Sequence, residues 1–190
     1  MRPLCHYYQQ RAGLSSVGSK HGGFLEVREY DINPGSFGRF ISLVEETVDL
    51  RKHVLPVVGL FKPDIGGVLN SFTHMYHYTS LEERDGVRAK ALENTSWSDE
   101  YLPVAKGMMM GQRNALYTPA VSIMEAAGST PVSDVVGTTA DTGGMMIELR
   151  RYQLHPGYDT VPTILSAFEK GYVCAWLMVL YLVVSRDDSN

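Results

Sequence analysis

Residues 25–35 read Leu-Glu-Val-Arg-Glu-Tyr-Asp-Ile-Asn-Pro-Gly, and the pattern returns at residues 147–157 as Ile-Glu-Leu-Arg-Arg-Tyr-Gln-Leu-His-Pro-Gly. The two stretches are offset by 122 residues without a gap, and five of their eleven positions are identical. Self-similarity at a fixed offset is the signature of a repeated structural unit. We therefore interpret the stretch as the opening strand of a domain that occurs twice in the chain.

The first copy alternates apolar and polar side chains, which is the pattern of a strand with two different faces. Successive side chains of a strand point to opposite sides of the sheet. One face carries Leu25 and Val27, and we expect it to pack on helices. The other face carries Glu26, Arg28 and Tyr30. The strand ends at the Pro-Gly pair, because Pro donates no ladder hydrogen bond and Gly permits a turn.

The following segments alternate between helical and strand patterns. Apolar residues recur at helical spacing over residues 37–48, which predicts an amphipathic helix. Two β-rich runs at residues 57–61 and 68–79 flank a turn and predict a hairpin. A capping box at Ser80 then opens a second helix, and residues 112–117 predict a last strand. The order β-α-β-β-α-β predicts a ferredoxin-like α+β fold with an antiparallel sheet.

Composition divides the chain into four segments. Residues 1–23 contain arginine and lysine but no acid, which is typical of a mitochondrial transit peptide; the alternative is a disordered, untargeted N-terminus. Residues 24–119 form the ferredoxin-like domain. Residues 120–144 are rich in Ala, Gly, Ser, Thr and Val and predict a flexible linker. Residues 145–190 hold the second copy, which is incomplete because little more than its first strand, residues 147–154, and the start of a helix remain.

An apolar run at residues 171–184 follows the second copy. It is 14 residues long, shorter than the roughly 20 residues that a helix needs to cross a bilayer. We therefore do not expect it to anchor the chain in a membrane. The alternative to an anchor is a curtailed end of the repeat that packs as a buried strand or helix.

Charge and cysteine content exclude several classes of protein. The chain has 190 residues and a net charge of −4, so no general basic field indicates nucleic-acid binding. Cys5 and Cys174 lie at opposite ends without a CxxC motif and are interpreted as free thiols. No metal site is predicted, because His74 and His77 point to opposite faces of a strand. We expect no cofactor.

The candidate site is the polar and aromatic face of the predicted sheet. It consists of Glu26, Arg28, Tyr30, Phe72, His74, Tyr76 and Tyr78. An acid, a histidine, phenols and a cation on one face can bind a small aromatic or acidic ligand or perform acid–base chemistry. The alternative is a polar interior in which Glu26 and Arg28 form a structural ion pair, since such networks cluster charges as readily as active sites do.

The ordered motifs of the chain resemble those of the NIPSNAP family. They are the doubled Glu-aliphatic-Arg-x-Tyr pattern with its Pro-Gly, the run His74-Met75-Tyr76-His77-Tyr78, the Trp97-x-x-Glu100 piece and the ending Ala115-Leu116-Tyr117-Thr118-Pro119. The resemblance covers residues 24–119 and, as the opening of a second repeat, residues 145–169. The chain departs from the family in its curtailed second repeat and in Tyr76, where relatives often carry Trp.

The resemblance implies a fold, a location and a role. The fold is a dimeric α/β-barrel made of two ferredoxin-like halves. The protein is expected to be mitochondrial, in the matrix or at a membrane, with the cytoplasm as the alternative location. Family members have no established catalytic activity and are linked to mitochondrial quality control and vesicle-associated interactions.

Two functions remain open at this stage. The first is a non-enzymatic interaction or scaffold protein, and the second is a small-molecule-binding protein or cofactor-independent enzyme of the same barrel type. A closed, salt-bridged interior favours the first, and an open apolar cavity with an isolated His74 favours the second. Because the second repeat is incomplete, we expect the aromatic sheet face to stay partly exposed. Such a face predicts a homodimer or pairing with a relative.

Overall fold

The strand that opens the repeat, β1 (Phe24–Ile32), is a central strand of an antiparallel sheet. It is seen in a computed structural model of the chain, which describes residues 22–129, 131–136, 149–171 and 181–182. The other strands are β2 (Val57–Phe61), β3 (Ser71–Tyr78), β4 (Met109–Pro119) and β5 (Tyr181–Leu182). Their spatial order is β2-β3-β1-β4-β5. Strand β1 therefore receives ladder hydrogen bonds from β3 on one side and from β4 on the other.

Helices connect the strands as a ferredoxin-like fold requires. They are α1 (Phe37–Glu46), α2 (Val48–Val54), α3 (Leu81–Glu93), α4 (Leu102–Met108), α5 (Val121–Ala126) and α6 (Thr160–Gly171). Shorter turns complete them: 3-10 helices at Pro34–Ser36 and Val132–Val135 and a π-helical turn at Ser96–Tyr101. The first four strands and the helices between them confirm the predicted α+β fold, β-α-β-β-α-β.

The first helical segment is divided at Thr47, where the periodicity predicts one continuous helix. Thr47 has φ −115° and ψ 12°, and its hydroxyl donates a hydrogen bond of 2.6 Å to the carbonyl oxygen of Leu43. A side-chain hydroxyl that bonds to the helix backbone competes with the regular ladder. The break makes α2 a separate short helix, and α2 carries Arg51, a residue of the site described below.

The second helical segment begins as its sequence predicts. The hydroxyl of Ser80 accepts a hydrogen bond of 3.1 Å from the backbone N–H of Glu83, and the Glu83 carboxylate accepts one of 2.6 Å from the backbone N–H of Thr79. These contacts satisfy N–H groups that a helix start leaves without partners. The cap fixes where α3 starts, and therefore which of its side chains point at the sheet.

The helices cover the polar and aromatic face of the sheet, so the expectation that they pack on the aliphatic face is wrong. Tyr30, Phe72, Tyr76 and Tyr78 are all buried in one core with residues of α1, α3 and α4 and the π-helical turn. The alternation of β1 defines two faces, but both are largely apolar, because the phenol and phenyl rings bury as much surface as aliphatic side chains. The predicted exposed aromatic patch is therefore absent from this face.

The opposite face holds a smaller aliphatic core. Leu25, Val27 and Tyr117 pack there against Met124 and Val132, with partly buried neighbours on β3 and β4. Met124 belongs to α5, so the prediction of a flexible linker at residues 120–144 is wrong for Val121–Ala126. A composition rich in small residues concealed the apolar side chains that the second face needs for cover.

The second copy does not form its predicted first strand over the residues that are described. Residues 149–155 carry no strand hydrogen bonding, because this segment lacks the neighbouring strands that β1 has on both sides. The helix predicted around Leu165 and Phe168 is present as α6, and both side chains pack against a small core on α5. Within the apolar run at 171–184, Gly171 ends α6, and Tyr181–Leu182 form β5, which pairs with β4. The rest of that run lies outside the described residues. Residues 1–21 of the predicted targeting segment lie outside them as well.

Candidate functional site

The strand register brings all seven predicted site residues onto one face. Across the β1–β3 pair, Glu26 lies opposite Tyr76, Arg28 opposite His74 and Tyr30 opposite Phe72. Tyr78 lies opposite Phe24 at the end of the pair. The face is covered by the helices, so the seven side chains form the interior of the domain. Whether they make a ligand pocket or an interface stays a prediction.

Glu26 is the centre of the first cluster on this face. It is fully buried, with 0 % of its surface exposed. Its carboxylate accepts hydrogen bonds from Arg28 at 3.1 Å, from Arg84 at 2.8 Å and from the Asn114 amide at 2.8 Å. Arg88 lies 3.6 Å away from the same oxygen. The predicted Glu26–Arg28 ion pair is therefore present, but as part of a network with three guanidinium groups around one carboxylate.

This surplus of positive charge determines the ionisation of the cluster. Burial opposes the charged form of Glu26, but the hydrogen bond from Arg84 and the charges of Arg28 and Arg88 outweigh it, so the pKa of the carboxyl is lowered. The pKa of Arg88 is also lowered, by burial and by the like charges of Arg28 and Arg84. Glu26 is thus held as a carboxylate and cannot act as a proton donor near neutral pH.

Arg51 is the centre of the second cluster. It lies on α2 with 2 % of its surface exposed. Its guanidinium donates hydrogen bonds to the Tyr76 hydroxyl at 2.7 Å and to the Tyr101 hydroxyl, and its Nη1 lies 3.2 Å from His74 Nδ1. The guanidinium carbon lies 5.0 Å from the centre of the Trp97 ring, within the range of a cation–π contact. In the part of the chain that the structure describes, no carboxylate forms an ion pair with Arg51.

His74 links the second cluster to the sheet. Its ring is 1 % exposed and packs 4.7 Å from the Tyr30 ring and 5.2 Å from the Phe72 ring. Burial first, and then the charges of Arg51 and Arg28, lower the pKa of His74 well below its ordinary value. His74 is therefore a neutral imidazole near neutral pH.

The two tyrosines beside the clusters keep their protons. Burial and the neighbouring Tyr76 raise the pKa of Tyr30 to about 12, against the opposing charge of Arg28. Burial and the charge of Glu26 raise the pKa of Tyr78 as well. Neither Tyr30 nor Tyr78 is ionised near neutral pH, so neither is a phenolate base. The face therefore offers charged groups and hydrogen-bond donors and acceptors.

Several site residues were not predicted, although the sequence carries a signal for some. Arg51 lies seven residues after Val44 and three after Val48, which places a charged residue on the apolar side of the helical pattern. Arg84 and Arg88 are spaced by four and therefore share one side of α3. Asn114 on β4 has the parity of Glu26. The stacking of Trp97 on Tyr101, with ring centres 4.6 Å apart, follows from the π-helical turn and has no sequence signal.

An apolar groove lies beside the second cluster. It has a volume of about 380 Å³. Its lining residues come from α1, α2, β2 and β3 and the start of the following loop: Ile41, Val44, Glu45, Val48, Leu60, Lys62 and Phe72. Phe72 belongs both to this groove and to the ring packing around His74.

The described residues contain neither a group of side chains that could hold a metal ion nor a helix that could span a membrane. Among the described residues, no three His, Cys, Asp or Glu side chains are grouped so that they hold a metal ion. In the same residues, none of the helices combines the length and the apolar composition of a membrane span. The absence of a cofactor stays a prediction.

Curated relatives match a stretch of about 80 residues of the chain. The chain is 27 % identical over 81 residues to protein NipSnap homolog 3A of Homo sapiens, a match that covers 43 % of this chain and 33 % of the relative. It is 31 % identical over 84 residues to protein NipSnap homolog of Dictyostelium discoideum, covering 44 % of this chain and 37 % of the relative. The matched part thus spans about a third of the length of these relatives.

A solved structure and the family model each match about half of the chain. A NIPSNAP family protein from Agrobacterium tumefaciens is 28 % identical, with a TM-score of 0.48, and the match covers 50 % of this chain and 91 % of that protein. The NIPSNAP family model matches residues 25–122, which is more than half of the chain. That range contains β1 to β4, the buried clusters around Glu26 and Arg51, and the start of α5. The chain belongs to the NIPSNAP family.

Proposed function

We propose that this protein is a non-enzymatic interaction protein that pairs with the sheet of another NIPSNAP protein through the charged end of its aliphatic sheet face, where Glu29 and the exposed Arg113 lie beyond the residues that α5 covers. The observation that carries the proposal is a contact between equivalent positions of the two repeat copies. Arg151 in the second copy donates a hydrogen bond to Glu29 in the first, and these residues are 122 apart, the offset of the repeat.

A contact between equivalent positions is the mark of two-fold pairing. When two copies of a unit meet face to face around a two-fold axis, residues near the axis meet their own counterparts. Glu29 has the parity of Leu25 and Val27, so it lies on the aliphatic face and not among the buried clusters. The Glu29–Arg151 contact supports pairing of a first and a second copy through this face.

Charge at this position favours a second copy over an identical first copy. Two first copies would place Glu29 opposite Glu29, and like charges directly opposed are unfavourable. A first copy and a second copy place a carboxylate opposite a guanidinium. We therefore favour pairing of a first copy with a second copy over a homodimer in which two first copies, residues 24–119, meet each other.

The closed interior supports a role without catalysis. Glu26 and His74 are the acid and the base candidate of the predicted site, and both are inaccessible to solvent, with 0 % and 1 % exposure. Glu26 is saturated by three donors, and His74 is held by Arg51 and Tyr76. A general acid or base needs a free position at which it exchanges a proton, and the Glu26 carboxylate and His74 Nδ1 are already occupied by internal donors. The enzyme of the dimeric α/β-barrel type remains the second candidate.

Pairing is tested by sedimentation velocity of the full chain with a recombinant full-length NIPSNAP relative. We expect a one-to-one complex at micromolar concentration and weak self-association of the chain alone. Glu29→Arg should weaken the complex roughly tenfold, because a close charge pair is reversed. Glu46→Arg, on an exposed helix position, is the matched control and should have no effect. Tight self-association, or a complex insensitive to Glu29→Arg, would contradict the proposal.

The site of action proposed for this role is the mitochondrion, in quality control or vesicle-related transport. The support is the acid-free, basic composition of residues 1–23 and the family to which the chain belongs. A fluorescent protein fused behind residues 1–23 should accumulate in mitochondria. A diffuse cytosolic signal would show that these residues carry no targeting information.

A further inference from the structure

Arg51 is a buried cation that is balanced only by neutral groups. Its hydrogen-bond partners in the described residues are two phenols and one imidazole, on Tyr76, Tyr101 and His74. A charge removed from water is costly unless an opposite charge or a full set of hydrogen bonds compensates it. Glu26, on the same face, shows how this domain compensates its other buried arginines, so the arrangement around Arg51 is distinct.

The network around Arg51 also has more donors than acceptors. His74 Nδ1 faces Arg51 Nη1 at 3.2 Å and the Tyr76 hydroxyl at 3.1 Å. Arg51 can only donate, so Nδ1 is the acceptor and the neutral ring carries its proton on Nε2. Within the described residues, that Nε2 and the Nε of Arg51 are buried without a hydrogen-bond partner. A carboxylate supplies only acceptors and a negative charge, which is the complement of this set.

The apolar groove lies against this network. Val48 lines the groove and precedes Arg51 by three residues, on the adjoining turn of α2. Leu60 also lines it and is paired with His74 across the β2–β3 ladder. The Phe72 ring, a third lining residue, packs edge-on against His74 at 5.2 Å. Phe72 and Leu60 therefore connect the groove to His74 in the network, and the groove volume of about 380 Å³ is that of a small-molecule site.

We propose that Arg51 and the groove form a binding site for a monocarboxylic acid with an aliphatic chain. The fork of Arg51, with the Tyr101 hydroxyl and His74 Nε2–H, binds the carboxylate, and the chain lies along Val44, Val48 and Leu60. The Phe72 ring turns aside to admit the head group. The site requires no partner protein and no turnover, so it goes beyond the proposed function.

Trp97 makes the site observable in the full chain. The protein has two tryptophans, Trp97 and Trp176, so Trp176→Phe leaves only the ring that stacks near Arg51. Titration of this variant with octanoate should give a saturable change in fluorescence. Octan-1-ol should bind at least about tenfold more weakly, because it lacks the charge, and octylamine should not bind. Equal binding of the acid and the alcohol would overturn the proposal, as would a failure of octanoate to saturate.

Variants distinguish Arg51 from the second cation of the groove. Lys62 is exposed and also lines the groove, so it is the alternative anchor. Arg51→Met should weaken octanoate binding roughly tenfold to a hundredfold and leave octan-1-ol binding unchanged. Lys62→Gln tests the alternative anchor and should weaken octanoate binding less than Arg51→Met does. Lys90→Gln, at an exposed position of α3 outside the groove lining, is the matched control and should leave both affinities unchanged. Loss of octanoate binding in Lys62→Gln but not in Arg51→Met would overturn the proposal.

Two further variants protect the test against loss of folding. Arg51→Lys keeps the positive charge but not the planar fork, so it should retain the fold and still weaken octanoate binding. Val48→Phe narrows the groove from the other side and should weaken the acid and the alcohol together. If folded Arg51→Lys and Val48→Phe proteins both bind octanoate with the affinity of the unsubstituted chain, the groove is not the site and the proposal is wrong.

Discussion

Two buried arginine clusters lie on the same face of the sheet and differ in what compensates their charge. Around Glu26, three guanidinium groups meet one carboxylate, and the network is closed by direct ion pairs. Around Arg51, a single guanidinium meets phenols, an imidazole and an indole ring. The first cluster depends on its own carboxylate for its stability. The second cluster keeps a positive charge that no carboxylate among the described residues neutralises.

The difference between the two clusters shows how one polar sheet face can both stabilise the fold and bind a ligand. A carboxylate that is fully used by internal donors has no capacity left for a ligand. A cation surrounded by neutral groups keeps that capacity, at some cost in stability. The comparison predicts opposite responses of the two clusters to the removal of a central residue.

The largest effect is expected for Glu26→Gln. This substitution leaves Arg28, Arg84 and Arg88 close together without a counter-charge, and breaking a buried ion pair in this way costs about 3–5 kcal/mol. Urea unfolding followed by circular dichroism measures the change. The control is Glu46→Gln, which removes one partner of the exposed Arg39–Glu46 pair and should cost less than about 1 kcal/mol. Equal losses in the two variants would show that Glu26 is not the centre of a structural network.

The two arginines of α3 should then respond differently. Arg84 donates directly to Glu26 at 2.8 Å, and a hydrogen bond to a charged group contributes about 1.5–3 kcal/mol, which Arg84→Gln should remove. Arg88 is partly exposed, lies 3.6 Å from Glu26, and is repelled by Arg28 and Arg84. Arg88→Gln should change the free energy of unfolding by less than about 0.5 kcal/mol. A larger loss in Arg88→Gln than in Arg84→Gln would reverse the ranking of these contacts.

Acid should weaken the second cluster before the first. Because the pKa of His74 is lowered on folding, the unfolded chain takes up the proton first. The contribution of His74 to stability is therefore complete above its unfolded pKa of about 6.5 and is lost as the pH falls below it. Between pH 7.5 and 5, His74→Gln should remove a slope of up to about 1.4 kcal/mol per pH unit from the unfolding free energy.

The matched control for the pH series is His53→Gln, an exposed histidine on the same helix as Arg51. Its unfolding free energy is measured over the same pH range and compared with that of His74→Gln. Glu26 is separated from this range, because the loss of its contribution begins only below the ordinary pKa of a glutamate, about 4.3. An unchanged slope in His74→Gln would mean that the imidazole is not held neutral by the fold.

Of the two central residues, Arg51 should be the less costly to replace, and Arg51→Met tests this. The substitution removes a buried charge that has no carboxylate partner in the described residues, which favours folding, but it leaves the Tyr101 hydroxyl without its donor, which opposes folding. The two effects partly cancel. We expect the free energy of unfolding to change by less than about 1.5 kcal/mol, in contrast to Glu26→Gln. Chemical denaturation in the absence of any carboxylic acid measures it. A loss as large as that of Glu26→Gln would make both clusters structural.

Much of the fold could be predicted from the sequence because the local sequence patterns match the strands and helices of the structure. The alternation of β1 and β3 placed all seven site residues on one face, and the capping box at Ser80 located the start of α3. These are short-range patterns with a fixed period or spacing. The repeat predicted β1 as the opening strand of the domain, and β1 lies at the centre of the sheet.

The side on which the helices lie was not readable, since both faces of β1 are apolar enough to be buried. The choice depends on contacts with distant residues such as Trp97 and Met108, which no local pattern describes. Arg51 and Arg84 were missed for a related reason. A charged residue in a helical pattern is normally assigned to solvent, and its burial becomes visible only when its partners, Tyr101 and Glu26, are known.

The Glu29–Arg151 contact has a consequence for how a duplicated protein evolves. Two identical units that pair with each other also pair with units of neighbouring chains, so a new duplicate is prone to cross-linking and misassembly. A single acid in one unit and a base at the same position of the other make the pairing ordered. Under the proposed pairing, first units therefore favour second units over one another. One residue difference between the copies then gives the two halves of a duplicated chain separate pairing preferences.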